Sequence, residues 1–431
     1  MFKKSIIAVL VLSLALFVVV GCEEEPDEEE TVDDDVVEIT VAGGAVGQEL
    51  ELTQDAAERY NEQNEDVNVR VMDVPDGADD RRGLYLQFLE AESSEIDVMQ
   101  IDVIWPGELG EHFVDLYDYG ADEVADQHFD PIVENNTIDG ELVAIPWFTD
   151  AGLLYYREDL LEEYGHGVPE TWDELEEAAQ DIMEGERADN PDFEGFVWQG
   201  DAYEGLTCNA LEWVASHNGG SIVEPDGEIT INNPEAAAAI ERAGEWVGNI
   251  SPDGVTGMME EDARAVFQDG NAAFMRNWPY AYALGQEDDS PIKDKFGVAP
   301  LPAGPDGEPA GTLGGWQLAV SRYSEDPEVA ADVALFMASY EEQKTRAIEG
   351  ALNPTIEDLY EDEEVLDAVP FFGELYDVFV NAQPRPSTAT APHYSDVSRE
   401  FYNAVYDVLL GEEDAETALE YLELDLEDIL Q

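Results

Sequence analysis

The chain has 431 residues, of which 44% are hydrophobic and 10% aromatic, a globular composition with length enough for two domains with substantial cores. Against 18 lysines and arginines stand 102 aspartates and glutamates, a formal net charge of -84. A field of that sign repels phosphate backbones and anionic membrane surfaces, which excludes nucleic-acid binding by electrostatics, and acids spread among ordinary apolar periodicity read as the solvated, salt-screened surface of a halophilic protein.

The chain opens MFKKSIIAVLVLSLALFVVVGC. Lys3 and Lys4 precede an apolar run from Ser5 to Val20, the pattern of a secretory signal over residues 1–21. An uncleaved anchor is the competing reading, and about 16 apolar residues fall a little short of a span. Val19-Val20-Gly21-Cys22 resembles the bacterial lipobox, which implies lipidation of Cys22, anchoring to the outer face of the cytoplasmic membrane and a mature chain beginning there. Residues 22–35, rich in acids and poor in apolar side chains, are expected to form a self-repelling tether. Only Cys208 then remains, in the helical pattern LTCNALEWV, as a small buried apolar residue with no disulfide partner.

From Val36 the pattern becomes regular. VVEITV (36–41) reads as a strand, then a Gly-rich turn AGGAVG, a helix over about 48–64, a strand over 67–74, a helix over 83–92 and a strand over 97–105. The βαβαβ order implies a parallel sheet with helices on its faces, and ligands bind such sheets beyond the C-terminal strand ends. The glycines of AGGAVGQ fit poorly to a phosphate loop and are expected to let the backbone approach a neutral ligand. The middle is helix-rich over 171–185, 207–218, 234–246 and 263–270, with short strands near 193–200 and 271–277. Thr171 with Glu174 is a capping-box start. Ala151–Tyr156 reads as a buried strand.

Five scattered histidines form no metal-binding spacing, and no nucleophile elbow is present, so neither a metal nor a cofactor is expected. Acids are too abundant for paired carboxylates to indicate glycoside hydrolysis by themselves. Aromatics say more. Trp105, Trp147, Phe148, Trp198, Tyr203, Trp278, Tyr280 and Trp316 sit beside Pro, Gly or polar residues. An aromatic face with a carboxylate or arginine nearby suits a sugar, whose C–H face stacks while its hydroxyls bond the charged groups. Plain packing is the alternative for each.

IPWFTDAGLLYYREDLLEEYG, VPETWDEL, GFVWQGDAYEGL, FMRNWPYAYAL, GVAPLPAG, TLGGWQLAVS and QPRPS, in that order, resemble the extracellular solute-binding proteins of ABC sugar importers, most narrowly those for trehalose and maltose. The resemblance implies an α/β, two-lobed periplasmic-binding-protein-like fold, each lobe a mostly parallel sheet flanked by helices. The lobes, residues 36–146 with about 313–366 and 147–312 with about 367–431, are joined by a multi-crossing hinge. It also implies no catalysis, and a monomer that hands a disaccharide to membrane permease subunits with a cytoplasmic ATPase. Carried over by position, the ligand contacts are Glu49, Asp102, Phe148 (where the family tends to carry Tyr), Asp150, Tyr203, Trp278, Tyr280, Gly315, Trp316 and Arg385. Arg81 or the adjacent Arg82 is the cleft arginine, and Gln48 is a further position in a variable loop. Glu49 and Asp102 are expected from one lobe, Asp150, Trp278 and Arg385 from the other. Another oligosaccharide or a glycosylated osmolyte as ligand, or a secreted glycosidase, stay open as alternatives.

Overall fold

A computed structural model describes residues 36–431; the expected signal peptide, Cys22 and the acidic tether lie outside them. β1 (Val37–Gly43), α1 (Glu49–Gln63), β2 (Val67–Asp73), α2 (Ala78–Glu90) and β3 (Val98–Asp102) follow one another, and β1 pairs in parallel with both β2 and β3. Helix α2 starts at Ala78, ahead of the expected Gly83. Asp79 and Asp80 fill its first turn, where acids meet the free N–H groups favourably. That puts Arg81 and Arg82 on the helix. β3 stops at Asp102, whose carbonyl accepts from the Trp105 amide and turns the chain.

β4 (Ile145–Ala151) and β5 (Leu153–Arg157) are separated by Gly152 alone, yet they belong to different sheets. Beyond them come α3 (Trp172–Glu186), β6 (Glu194–Val197), α4 (Glu204–Ser216), α5 (Pro234–Trp246), α6 (Glu260–Gln268), β7 (Ala272–Asn277), β8 (Phe296–Pro300), β9 (Leu313–Val320), α7 (Tyr340–Gly350), α8 (Tyr394–Leu409) and α9 (Ala415–Ile429). The first sheet has the order β2-β1-β3-β9-β4 and the second β8-β5-β7-β6. In each, all strands but one run the same way: β9 opposes β3 and β4, and β5 opposes β8 and β7. Both exceptions are strands onto which the chain has just crossed from the other sheet. A strand that begins at the cleft must run away from it, against the strands that end there.

The first crossing therefore lies at Gly152, not at residue 147. A side chain at Gly152 would collide with the buried Glu212–Arg276 pair, so the chain passes between lobes where it carries none. The second crossing leads from β8 to β9. The third runs alongside it: Gln383 donates its amide to the Gly311 carbonyl and accepts from the Leu313 amide, both at 2.8 Å. Phe372 and Phe379 still pack on Tyr360, with ring centroids 5.9 and 6.1 Å away. The chain thus leaves the first lobe's core near 383–386, beyond the expected 366.

Thr171 and Glu174 form the capping box at the start of α3. The second lobe's core is built on Trp172, Trp198, Trp213 and Trp246, with neighbouring rings 5.0 to 5.7 Å apart. Trp198 donates to Ser251 Oγ at 3.0 Å, and Trp105 packs edge-on between Tyr85 and Trp316. These two indoles are packing residues. No helix among the described residues is long and apolar enough to cross a membrane.

Candidate functional site: a carboxylate-lined cleft

The two sheets present their strand ends to one another across a narrow cavity of about 60 Å³. Glu49 opens α1 and Asp102 closes β3. Phe148 and Asp150 stand on β4, and Gly315 and Trp316 on β9 opposite them, with Trp316 paired to both Asp102 and Phe148. Tyr203, Trp278 and Tyr280 come from the second lobe, after β6 and β7, and Arg385 from the third crossing. All ten line the cavity. Asp150 was expected from the second lobe. The pairing of β4 with β9, Asp150 opposite Gly314, assigns it to the first. Gly315 has φ +114°, and a Cβ there would lie 2.5 Å from the Phe148 carbonyl oxygen, so this close strand pair requires glycine.

Arg81 stands just behind the wall. It is fully buried, its guanidinium 4.1 Å from the centroid of the Trp316 ring and its Nε donating to the Pro75 carbonyl at 2.9 Å. Arg82 points elsewhere, to Glu108 Oε2 at 2.9 Å. Of the two arginines, Arg81 is thus the one at the cleft. Gln48 is not on the wall. The loop glycines serve side chains, not a ligand: a Cβ at Gly47, where φ is +58°, would collide with the ring of Tyr280, and the loop's own contribution to the wall is Val46.

The charges are arranged in a chain. Arg385 donates to Asp102 Oδ1 at 2.7 Å and to Glu204 Oε1 at 2.9 Å, so one guanidinium ties a first-lobe acid to a second-lobe acid. Glu204 also accepts from Ser398 Oγ at 2.6 Å and from Tyr394 Oη. Burial pushes its carboxyl up to about 7, Arg385 opposing the rise. Burial likewise raises Glu49, countered by Arg81 and by a 2.9 Å bond from Gln100. Asp150 is pushed well above the usual carboxylate range, first by burial and then by the charges of Glu49 and Asp102. Tyr203 and Tyr280 donate their hydroxyls to Glu260 (2.6 Å) and Glu261 (2.7 Å), which leaves their rings for the cavity. Arg276, paired with Glu212, lies 3.8 Å from the centroid of the Trp278 ring and backs that indole. Trp147 is withdrawn beneath Arg346, 3.9 Å from its ring centroid.

Asp76, Glu204 and Glu260 also line the cavity and were not singled out in the sequence, and Cys208, read there only as a buried apolar residue, lines it too. Cys208 is buried as expected, but on the cleft face of α4. The available signal was spacing: Glu204 and Cys208 are four apart, one helical turn, immediately after Tyr203. Acids alone carried no signal in so acidic a chain. Together these groups form a wall rich in hydrogen-bond acceptors and aromatic faces, suited to a solute with many hydroxyl groups.

Residues 45–344 match the bacterial extracellular solute-binding proteins. A probable ABC transporter-binding protein of Deinococcus radiodurans is 51% identical over 388 residues, covering 90% of this chain and 92% of that one. Maltose-bound T. maritima MalE3 superposes with a TM-score of 0.87 at 42% identity, over 92% of this chain and all of the other. The GacH receptor of Streptomyces glaucescens, solved unliganded and with acarbose, has a TM-score of 0.80 at 22% identity over 92% and 98%, a likeness of fold alone. With its two lobes, its cleft and this match over most of its length, the chain belongs to the bacterial extracellular solute-binding proteins, a family that binds solutes and does not transform them.

Proposed function

We propose that the protein is a lipid-anchored receptor of an ABC sugar importer, a monomer that captures an α-linked disaccharide, trehalose or maltose, and passes it to the permease subunits. The observation that carries this reading is the cavity wall, where the rings of Trp278 and Trp316 stand among Glu49, Asp102 and Asp150. Aromatic faces take the C–H side of a pyranose and carboxylates take its hydroxyls. The 42% identity to a protein solved with maltose supports the sugar class.

Room for a few water molecules is too little for a disaccharide, so entry requires the lobes to part. Closure then joins contacts from both sides. Asp79 of α2 accepts the Glu204 amide at 2.9 Å, and Glu108 accepts the Ser395 amide and hydroxyl at 2.7 Å. A ligand that bonds both walls shifts the population towards the closed form by its differential affinity. Titration calorimetry with a panel of disaccharides at high salt tests the reading. Saturable heat with trehalose or maltose is expected. Heat only with a longer oligosaccharide or a glycosylated osmolyte would keep the receptor and change its ligand, and no heat with any sugar would overturn the proposal. For the anchor, the support is the sequence around Cys22; a Cys22→Ser variant should leave the membrane fraction, and one that stays there refutes lipidation at that residue.

A further inference from the structure

The cavity wall holds six carboxylates, Glu49, Asp76, Asp102, Asp150, Glu204 and Glu260, and a single guanidinium, that of Arg385. That guanidinium is already divided between Asp102 and Glu204. The other cation whose charge reaches Asp150, Arg276, is held by Glu212 with side chains 1% and 0% exposed. Asp150 itself lines the cavity, is 7% exposed, and accepts no hydrogen bond from any described residue. The charged groups around it are Glu49 and Asp102 from the first lobe, Arg276 from β7 and Arg385 from the third crossing. The wall thus has more carboxyl groups than the protein pairs with cations, and one of them, Asp150, is buried with no donor to its side chain, a group that a cationic ligand would hold in its charged form. A buried charge is costly until it is paired.

A neutral hydroxyl supplies a donor but no charge. An ammonium supplies three donors and the missing positive charge, in a site where salt screens less than at the surface. We propose, building on the sugar-receptor reading, that the cleft selects by charge: it takes glycosides bearing a protonated amine in preference to their neutral parents, excludes those bearing phosphate or carboxylate, and uses Asp150 as the ammonium acceptor. Carboxylate-bearing sugars meet a wall of like charge, which is a repulsive element of selectivity.

The test is calorimetry of the mature protein at constant high salt and about neutral pH, where a sugar amine is largely protonated. The ligands are trehalose and maltose, analogues in which one hydroxyl at a time is replaced by an amine, the same analogues N-formylated, and trehalose phosphate. At least one amino analogue should bind about tenfold or more tighter than its parent, and N-formylation should abolish the gain. In Asp150→Asn the gain should fall below about twofold, while trehalose phosphate binds the wild type about a hundredfold more weakly than trehalose. The inference is overturned if every amino analogue binds more weakly than its parent, if the formylated forms keep the gain, if Asp150→Asn keeps it, or if the phosphate binds as well as the parent. The formylated series decides the matter even where the variant does not fold. Absence of binding by the neutral parents and the amino analogues alike would instead bring down the sugar-receptor reading on which this one rests.

Discussion

Replacing Arg385 by Met removes the one cation that joins the walls of the cleft. Its guanidinium is 2% exposed and bonds Asp102 of the first lobe and Glu204 of the second. Without it two buried acids face each other across the cavity. Breaking a buried ion pair from one side costs about 3–5 kcal/mol. Because the two acids belong to different lobes, the cost falls on the closed form, the one that holds ligand. The dissociation constant for disaccharide should therefore rise roughly 150- to 5,000-fold. The loss should also depend on pH, with a defined sign. The Glu204 carboxyl stands near 7 with Arg385 opposing its rise, so removing the arginine lifts it further. Acidification from about pH 8.5 to about pH 6 then moves Glu204 towards its protonated form and relieves the repulsion, so the defect should shrink as the pH falls. Titration calorimetry of wild type and variant at both values, compared as a ratio, measures this. An unchanged affinity, or a defect that does not shrink on acidification, would refute the argument.

Trp278→Ala should weaken disaccharide binding by about 1–3 kcal/mol, roughly 5- to 150-fold, through loss of the stacking face, with little change in unfolding. Gly315→Ala forces a side chain into φ +114° beside the Phe148 carbonyl; a loss of about 1–3 kcal/mol in urea unfolding is expected, with an unchanged slope. Arg276→Ala leaves Glu212 charged and unpaired in a fully buried place and should cost about 3–5 kcal/mol by the same assay. The melting temperature should rise between about 0.1 M and about 3 M potassium chloride, as salt screens the repulsion among the acids; a salt-insensitive transition would show that the acid surplus carries no strain.

Periodicity made the βαβαβ half legible, because VVEITV and VNVRVMDV carry the apolar, β-branched runs that strands need. The capping box at Thr171 was equally plain, being a local signal satisfied locally. The crossing at Gly152 was hidden, since β4 and β5 form one apolar stretch in which nothing local distinguishes two sheets. What separates them is the Glu212–Arg276 pair packed against the glycine, brought there from residues 60 or more positions away. In the site, aromatics next to Pro and Gly pointed to the cleft for Trp278 and Trp316, but the same surroundings misled for Trp105 and Trp198, which pack in cores. Glu204 and Glu260 were invisible for a simpler reason. With acids at every turn, an acid becomes informative only when its neighbours are known.

The three crossings touch one another. The Gly152 amide reaches the Thr312 carbonyl, and Gln383 is bonded to Gly311 and Leu313. Such a laminated strap turns as one axle. Side chains close to it, Asp150 and Gly314 among them, travel little when the lobes swing, while groups farther from it travel more. A ligand arriving in the parted cleft therefore finds its axle-side partners already in place and acquires the distant ones last. The order of contact is built into the geometry of the joint, so a reporter placed at the rim of the cleft away from the strap and one placed beside Asp150 should register the same binding event at different times.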